Sequence, residues 1–359
     1  MFNPHQTISE ILNDVLPNER TKDVIARRFG LSDGSRQTLE EIGQEYGITR
    51  ERVRQIEANG LSALSEPEII TRLEPHFEMI KNHLAEHGDL RREDSLLNDL
   101  SYVCFPAAGL DNKTPSDDSL PDFSRCQSSL YLLLVLGNPF SKEKESPKFH
   151  PLWTINKASL AAARKVVDFF AKHFQKASQT LEFKDLLQKA KEIDSNLSEK
   201  ALVSYLDASK EVASNKFGHY GLSHWPEIAP KGVKDKSYLV LKKHGQPLHF
   251  SEITSHINEH SLDAKRAQVE TVHNELIKDS RFVLIGRGIY ALSEWGYQAG
   301  TVADIITGFL KENGPLGKDE IINKVLEKRM IKENTILINL QNRKYFTKGA
   351  DGRYTLKKV

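Results

Sequence analysis

The chain has 359 residues, 39% of them hydrophobic and 8% aromatic, with 50 Lys+Arg against 49 Asp+Glu and a formal net charge of +1. That length suits about five small folded units rather than one domain. The longest apolar run, Leu130 to Leu136, is too short to cross a bilayer and the opening Met-Phe-Asn-Pro-His has no basic leader, so a soluble, cytoplasmic protein without membrane contact is expected.

The first clear element pair lies in Thr38-Leu-Glu-Glu-Ile-Gly-Gln-Glu-Tyr-Gly-Ile-Thr-Arg-Glu-Arg-Val-Arg-Gln-Ile-Glu57. Thr38 followed by Glu41 is a capping box, which starts a helix at Leu39 with Leu39 and Ile42 on one apolar face. Gly47 ends it, and Thr49 can accept from the free N–H groups that open a second helix. There Val53, Ile56, Leu61 and Leu64 face inward, turning Arg50, Glu51, Arg54 and Gln55 outward. Arg can bond two acceptors of a guanine edge, Gln an adenine edge, and Glu a cytosine amine. Thr38, Thr49 and Arg52 complete this set of candidate DNA contacts. Taken alone, the Arg-Glu alternation also suits a solvated helix face.

Together with Val24-Ile-Ala-Arg-Arg-Phe-Gly-Leu31, this stretch resembles region 4 of bacterial sigma-70 family factors over residues 20–64. The resemblance implies recognition of an upstream promoter element and docking on the flap of the RNA polymerase β subunit. It places Val24, Arg28, Phe29 and Leu31 near the flap-facing surface. Two departures qualify it. Asn59-Gly-Leu-Ser-Ala-Leu-Ser-Glu-Pro-Glu68 lacks the basic tail usual in the family, and residues 1–19 are too short for the promoter-melting region, so a complete sigma factor is not expected.

Four further modules follow in the reading of the sequence. Residues 67–157 suit a degenerate winged helix, with helices over 77–87 and 92–102, a strand over 149–155, a charged hairpin tip over 141–148 and a mobile loop over 106–122. Residues 158–228 repeat the plan, with Leu186, Leu187, Leu202, Leu206, Phe217 and Tyr220 as core. Three segments end alike: Gly218-His-Tyr-Gly-Leu-Ser-His-Trp225, Gly288-Ile-Tyr-Ala-Leu-Ser-Glu-Trp295 and, more faintly, Gly352-Arg-Tyr-Thr-Leu-Lys-Lys-Val359. Within residues 229–297 the patterns predict helices over 237–243, 250–259 and 264–279, then strands over 281–285 and 288–293. Val269, Val272, Leu276, Phe282, Leu284, Tyr290 and Leu292 form the expected core. This copy resembles the HARE winged-helix family through Tyr238-Leu-Val-Leu-Lys, Pro247-Leu-His-Phe-Ser-Glu-Ile, Arg281-Phe and the Gly288 segment, and that resemblance implies protein contacts as readily as DNA contacts.

The last copy, residues 298–359, carries predicted helices over 318–327 and 333–342. The expected fold is mainly α: a region 4-like helix-turn-helix over residues 1–66 followed by tandem winged helices, each of three helices and a β-hairpin. Further candidate DNA contacts are Lys265, Arg266 and Arg287 in one copy and Asn334, Asn339, Arg343 and Lys344 in the last. A solvated helix face beside Ile336, Leu337, Ile338 and Leu340 is the other reading of the latter set.

Charge is unevenly spread: residues 1–157 sum to −7 and residues 158–359 to +8, so a sequence-independent grip on phosphates is expected mainly from the C-terminal part. Cys104 and Cys126 stand in unrelated contexts, which argues against a disulfide framework or thiolate metal site. The 13 histidines show no H-E-x-x-H pattern, and His249, His256 and His260 lack a carboxylate or thiol at ligand spacing. No catalytic residues, metal or cofactor are therefore expected. The function expected is a sequence-specific, sigma-like DNA-binding transcription regulator with double-stranded DNA and core polymerase as partners. The alternative is a polymerase-associated scaffold that grips the β flap and uses its winged helices for protein contacts. Oligomeric state is not legible.

Overall fold

The computed structural model describes residues 3–16, 18–104, 120–260, 262, 265–297, 300–329, 331–349 and 351–357. Two compact units divide the chain, residues 1–213 and 214–359.

The first unit opens with α1 (Pro4–Val15), α2 (Glu19–Phe29), α3 (Leu39–Tyr46) and α4 (Arg50–Leu64). Asn3 and Asn18 cap α1 and α2, their side-chain oxygens accepting from the N–H groups of Gln6 and Thr21. Then come α5 (Pro67–Glu86), β1 (Leu90–Arg92), α6 (Glu93–Cys104), α7 (Leu120–Leu136), β2 (Ser141–Glu143) and β3 (Leu152–Thr154). The unit continues with α8 (Lys157–Ala177), β4 (Leu181–Glu182), α9 (Phe183–Ile193) and α10 (Glu199–Ala208).

One core runs from the helix-turn-helix into the next module. Ile8, Ile11 and Leu12 of α1, Ile25 and Phe29 of α2, Leu64 of α4, Leu73, Phe77 and Ile80 of α5, and Leu130, Leu133 and Leu134 of α7 belong to it. The module boundary placed after residue 66 therefore passes through continuous packing. Helix α7 was not anticipated. Its run of leucines, apolar nearly all round, suits a helix enclosed on several sides, and it packs on α1, α2, α5 and α6. Of the loop expected over 106–122, residues 106–119 lie outside the described residues, and α7 already begins at Leu120.

Cys104 and Cys126, unrelated in sequence, are brought together where α6 meets α7, and both thiols are free. Their mutual hydrogen bond, with burial, pushes the Cys104 thiol up and keeps it protonated, while the same bond lowers Cys126.

β5 (Val212–Ser214) falls at the junction of the two units in the sequence, and β6 (His219–Leu222) opens the second. There follow α11 (Val233–His244), β7 (Leu248–His249), α12 (Phe250–Glu259), α13 (Val269–Lys278), β8 (Phe282–Leu284) and β9 (Ile289–Leu292). Last are α14 (Val302–Asn313), α15 (Lys318–Lys328), α16 (Glu333–Leu340), β10 (Phe346–Lys348) and β11 (Tyr354–Leu356). The same order of elements recurs: a helix, a short extended segment, two helices and a hairpin.

The recurrence extends to single residue pairs. Leu90 faces Thr154 in the β1–β3 pairing, Leu248 faces Tyr290 in β7–β9, and Leu316 bridges Tyr354, all antiparallel. In each case a residue just ahead of the second helix closes on the returning hairpin strand. Gly218, Gly288 and Gly352 have φ of 79°, 69° and 82° at the turn before that strand, a left-handed conformation that side chains with a Cβ resist. That requirement accounts for the glycine of the repeated Gly-x-Tyr.

Within the second unit, the buried Arg329 that follows α15 donates to the backbone carbonyls of Leu284 and Gly300, which joins the last winged helix to the one before it. Two residues expected in cores are exposed: Leu284 at 46% and Ile338 at 61%. Leu284 shares a face of β8 with the buried Phe282 and pairs with Tyr290, but as the last residue of the strand it is left open to solvent. Ile338 lies two residues from the buried Ile336, about 200° round the helix and so on its opposite side.

Because α1, α2, α5 and α7 share one core, Leu133→Ala is expected to cost about 2–5 kcal/mol and to lower the helix-turn-helix together with residues 67–157. Urea unfolding followed by hydrogen exchange of α2 and α5 checks this. Protection lost in α5 but retained in α2 would mean that the two parts unfold separately.

Candidate nucleic-acid interface

The helix-turn-helix is assembled from local hydrogen bonds before any packing. Thr38 Oγ1 accepts from Glu41 N–H at 3.2 Å while Glu41 Oε2 accepts from Thr38 N–H at 2.6 Å, so the capping box is complete. Those bonds hold the Glu41 carboxyl below its usual range. Gly47 takes the left-handed conformation at φ 62°, and Ile48 N–H returns to the Gly43 carbonyl at 2.9 Å. Thr49 Oγ1 then accepts from Arg52 N–H at 3.2 Å and opens α4. A Cβ at Gly43 would lie 2.8 Å from the Ile48 carbonyl oxygen, so this close turn needs glycine there.

Packing fixes α4 from behind. Val24, Ile42 and Val53 are fully buried in a small core of their own, with Leu39, Tyr46, Ile48 and Ile56 around it. Arg28 of α2 donates to Glu57 of α4 at 3.0 Å and to the Gln37 carbonyl at 2.9 Å. Gly60 lets α4 approach α2 closely, since a Cβ there would stand 2.9 Å from Ile25 Cγ1. Tyr46 donates to Asp23 at 2.7 Å, and Arg27 bridges Asp23 and Glu45, which ties α3 to α2.

The opposite side of α4 is bare. Thr38, Thr49, Arg50, Glu51, Arg52, Arg54 and Gln55 are all exposed. Arg54 donates twice to Glu51, at 2.8 and 2.7 Å, and Arg52 donates to Gln55 at 3.1 Å. The Arg54 guanidinium holds the Glu51 carboxyl below its usual range, so both are ionised at neutral pH. The helix thus presents a row of donors and acceptors on one side, chemically suited to base edges and phosphates.

The residues assigned to a polymerase-facing surface are placed otherwise. Val24, Phe29 and Leu31 are buried, at 0%, 4% and 5% exposure, and Arg28 is half-buried in its bonds to Glu57 and Gln37. Helix periodicity turns Val24 into the small core, while Phe29 and Leu31 pack in the core shared with α7, where Phe29 meets Tyr131 at 6.1 Å between ring centroids.

In the second unit, Lys265, Arg266 and Arg287 are exposed. Lys265 and Arg266 precede α13, which begins at Val269, so they lie in the approach to the helix rather than on it; of the helix start expected at 264, that residue lies outside the described ones. Arg287 sits at the β8–β9 tip as expected. In the last module Asn334, Arg343 and Lys344 are exposed, whereas Asn339 is half-buried and donates back to the Thr335 carbonyl at 2.8 Å. Arg343 borders an open cleft of about 710 Å³ that also takes in Lys348, Tyr354 and Lys357, the last two missed from the sequence as neighbours because hairpin pairing brings them together.

His249 belongs to a capping box at the start of α12, and His256 pairs with Glu259 at 3.1 Å. A group overlooked in the sequence is His83, His87 and Asp99, whose polar side-chain atoms lie within 4.8 Å of one another. The spacing of His83 and His87 by four residues was the available signal.

Residues 18–66 match the family of sigma-70 region 4, and residues 232–295 match the HARE-HTH family, a helix-turn-helix domain described for ASXL and restriction endonuclease proteins. Among curated proteins the chain is similar to the RNA polymerase sigma factor SigA of Bacillus sp, 46% identical over 76 residues that are 21% of this chain and 20% of that protein. It is 43% identical over 76 residues to the RNA polymerase sigma factor SigA of Listeria monocytogenes, with the same 21% and 20% coverage. The chain therefore matches about a fifth of the length of these relatives (20%). Both matched families are helix-turn-helix types rather than enzyme families.

Arg54→Ala is expected to weaken binding to a selected DNA site by about 1–3 kcal/mol and to relax base preference at one position, as an exposed side chain beside Gln55 on α4 would if it met a base edge. Fluorescence anisotropy on selected and random duplexes measures both. An equal loss on the two would leave Arg54 as a phosphate contact only.

Proposed function

We propose that this chain is a sequence-specific DNA-binding transcription regulator of sigma-like type, acting at promoters together with RNA polymerase. The observation that carries this reading is the side of α4 bearing Arg50, Glu51, Arg54 and Gln55, exposed and bonded only within its own helix, in a segment that matches sigma-70 region 4. Double-stranded DNA in its major groove is the partner that such a helix fits. Arg287, Arg343 and Lys344, exposed on winged-helix modules in the positive part of the chain, add affinity through phosphates. Among the described residues after α4, the helices recur in the winged-helix order.

One observation favours the second reading, a polymerase-associated scaffold: residues 1–157 sum to −7, an unhelpful charge for a DNA-binding surface. Against its flap contact stands the burial of Val24, Phe29 and Leu31. A polymerase contact would run through other residues.

Binding of the full chain to promoter duplexes selected from a random library, with and without core polymerase, tests the reading. Enrichment of a defined site by the chain alone supports it. Retention on core polymerase with no site enriched in either condition would transfer the proposal to the scaffold.

Replacing Arg287, Arg343 and Lys344 by Ala together is expected to lower affinity equally for selected and random DNA. The slope of log affinity against log salt should flatten by roughly 1 for each phosphate that is no longer neutralised. An unchanged slope would remove these residues from the interface.

A further inference from the structure

His83 and His87 stand one turn apart at the end of α5, their rings 4.3 Å apart, and Asp99 of α6 approaches them from across the β1 turn. His83 Nε2 lies 3.3 Å from Asp99 Oδ2. The His87 Nδ1 lies 2.7 Å from the His83 carbonyl oxygen. A carbonyl only accepts, so His87 Nδ1 carries the proton and Nε2 presents its lone pair. This hydrogen bond to a ring nitrogen is the kind that fixes tautomer and ring orientation in histidines that ligate metals. Asp99 is held in turn: Arg91 bonds its Oδ2 at 2.9 Å and is itself anchored on Asp207 at 3.3 Å. Two carboxylates thus stand beside the one guanidinium.

We propose that His83, His87 and Asp99 form a site for a late first-row divalent metal ion, of which Zn²⁺ is the representative, clasping α5 to α6. With bonds of about 2.0–2.2 Å, two ligand atoms in a tetrahedral shell stand roughly 3.3 Å apart. The His83–Asp99 pair already has that separation, at 3.3 Å, and all three polar atoms fall within 4.8 Å, so small side-chain rotations complete the set. Two imidazoles with one carboxylate select zinc, cobalt, nickel or copper over magnesium and calcium, which require oxygen-rich shells. The three ligands are half-buried, which partly shields the site from solvent. The Arg91 charge opposes the cation, and Asp207 together with Asp99 offsets it.

The untagged full chain is titrated with Co²⁺, followed by its visible ligand-field bands, and with Zn²⁺ by calorimetry. One equivalent is expected to bind. His83→Gln, His87→Gln and Asp99→Asn should each weaken Zn²⁺ binding by at least about tenfold, while circular dichroism shows the fold intact. His256→Gln, in the separate cluster where His244 and His256 rings lie 4.2 Å apart, should change nothing. Absent bands in the parent chain, bands that persist in His83→Gln and Asp99→Asn, or bands lost in His256→Gln would overturn the proposal. Three single variants keep the test decisive should one of them fail to fold.

Discussion

The constraint on which the first unit depends is that α4 must be held from one side only. The outer side of α4 bonds only within the helix itself, so every restraint on its position comes from behind or from its ends. Val53 against Val24 and Ile42, Gly60 against Ile25, and Glu57 against Arg28 supply the first kind. The Gly47 turn and the Thr49 cap supply the second. The buried contacts are apolar or fully hydrogen-bonded, which gives rigidity without drawing on the exposed Arg50, Glu51, Arg54 and Gln55.

Behind that layer lies a second one. Ile25 and Phe29 of α2 face the core that α1, α5 and α7 complete, so α2 is gripped on both sides. The region 4 fold alone buries little: its own core has three fully buried side chains, Val24, Ile42 and Val53. A domain of that size is marginal, and fusing its back to the neighbouring module enlarges the apolar area removed from water. The same fusion removes Phe29 and Leu31 from the surface.

Local chemistry made much of this legible in the sequence. Thr38 with Glu41, Gly47 and Thr49 specify caps and a turn through residues close in the chain, and the structure carries each of those bonds. Gly288 before Tyr290 likewise names a turn whose backbone conformation only glycine adopts readily. What was not legible depends on distant partners. Nothing near Phe29 announces that α7, a hundred residues on, will cover it. Leu284 and Ile338 read as core because they are apolar, yet a pattern cannot say that the strand end at Leu284 stays uncovered or which side of a short helix at Ile338 meets a neighbour. His83 and Asp99 were missed for the same reason: a turn of chain and a strand separate them in sequence, while the fold sets them side by side.

Arg329 has a consequence of its own for the last two modules. The terminal nitrogens of its guanidinium, Nη1 and Nη2, donate to the carbonyls of Leu284 and Gly300, while its buried Nε has no partner among the described residues and the Asp304 carboxylate nearby favours the charge. Dissolved ions weaken attraction between opposite charges through their atmosphere, but they barely touch a buried hydrogen bond between a cation and a peptide oxygen. The joint between these two winged helices should therefore depend little on ionic strength. The spacing between their hairpin tips is then a property of the protein itself, fixed by a contact between modules and not by anything that docks on them.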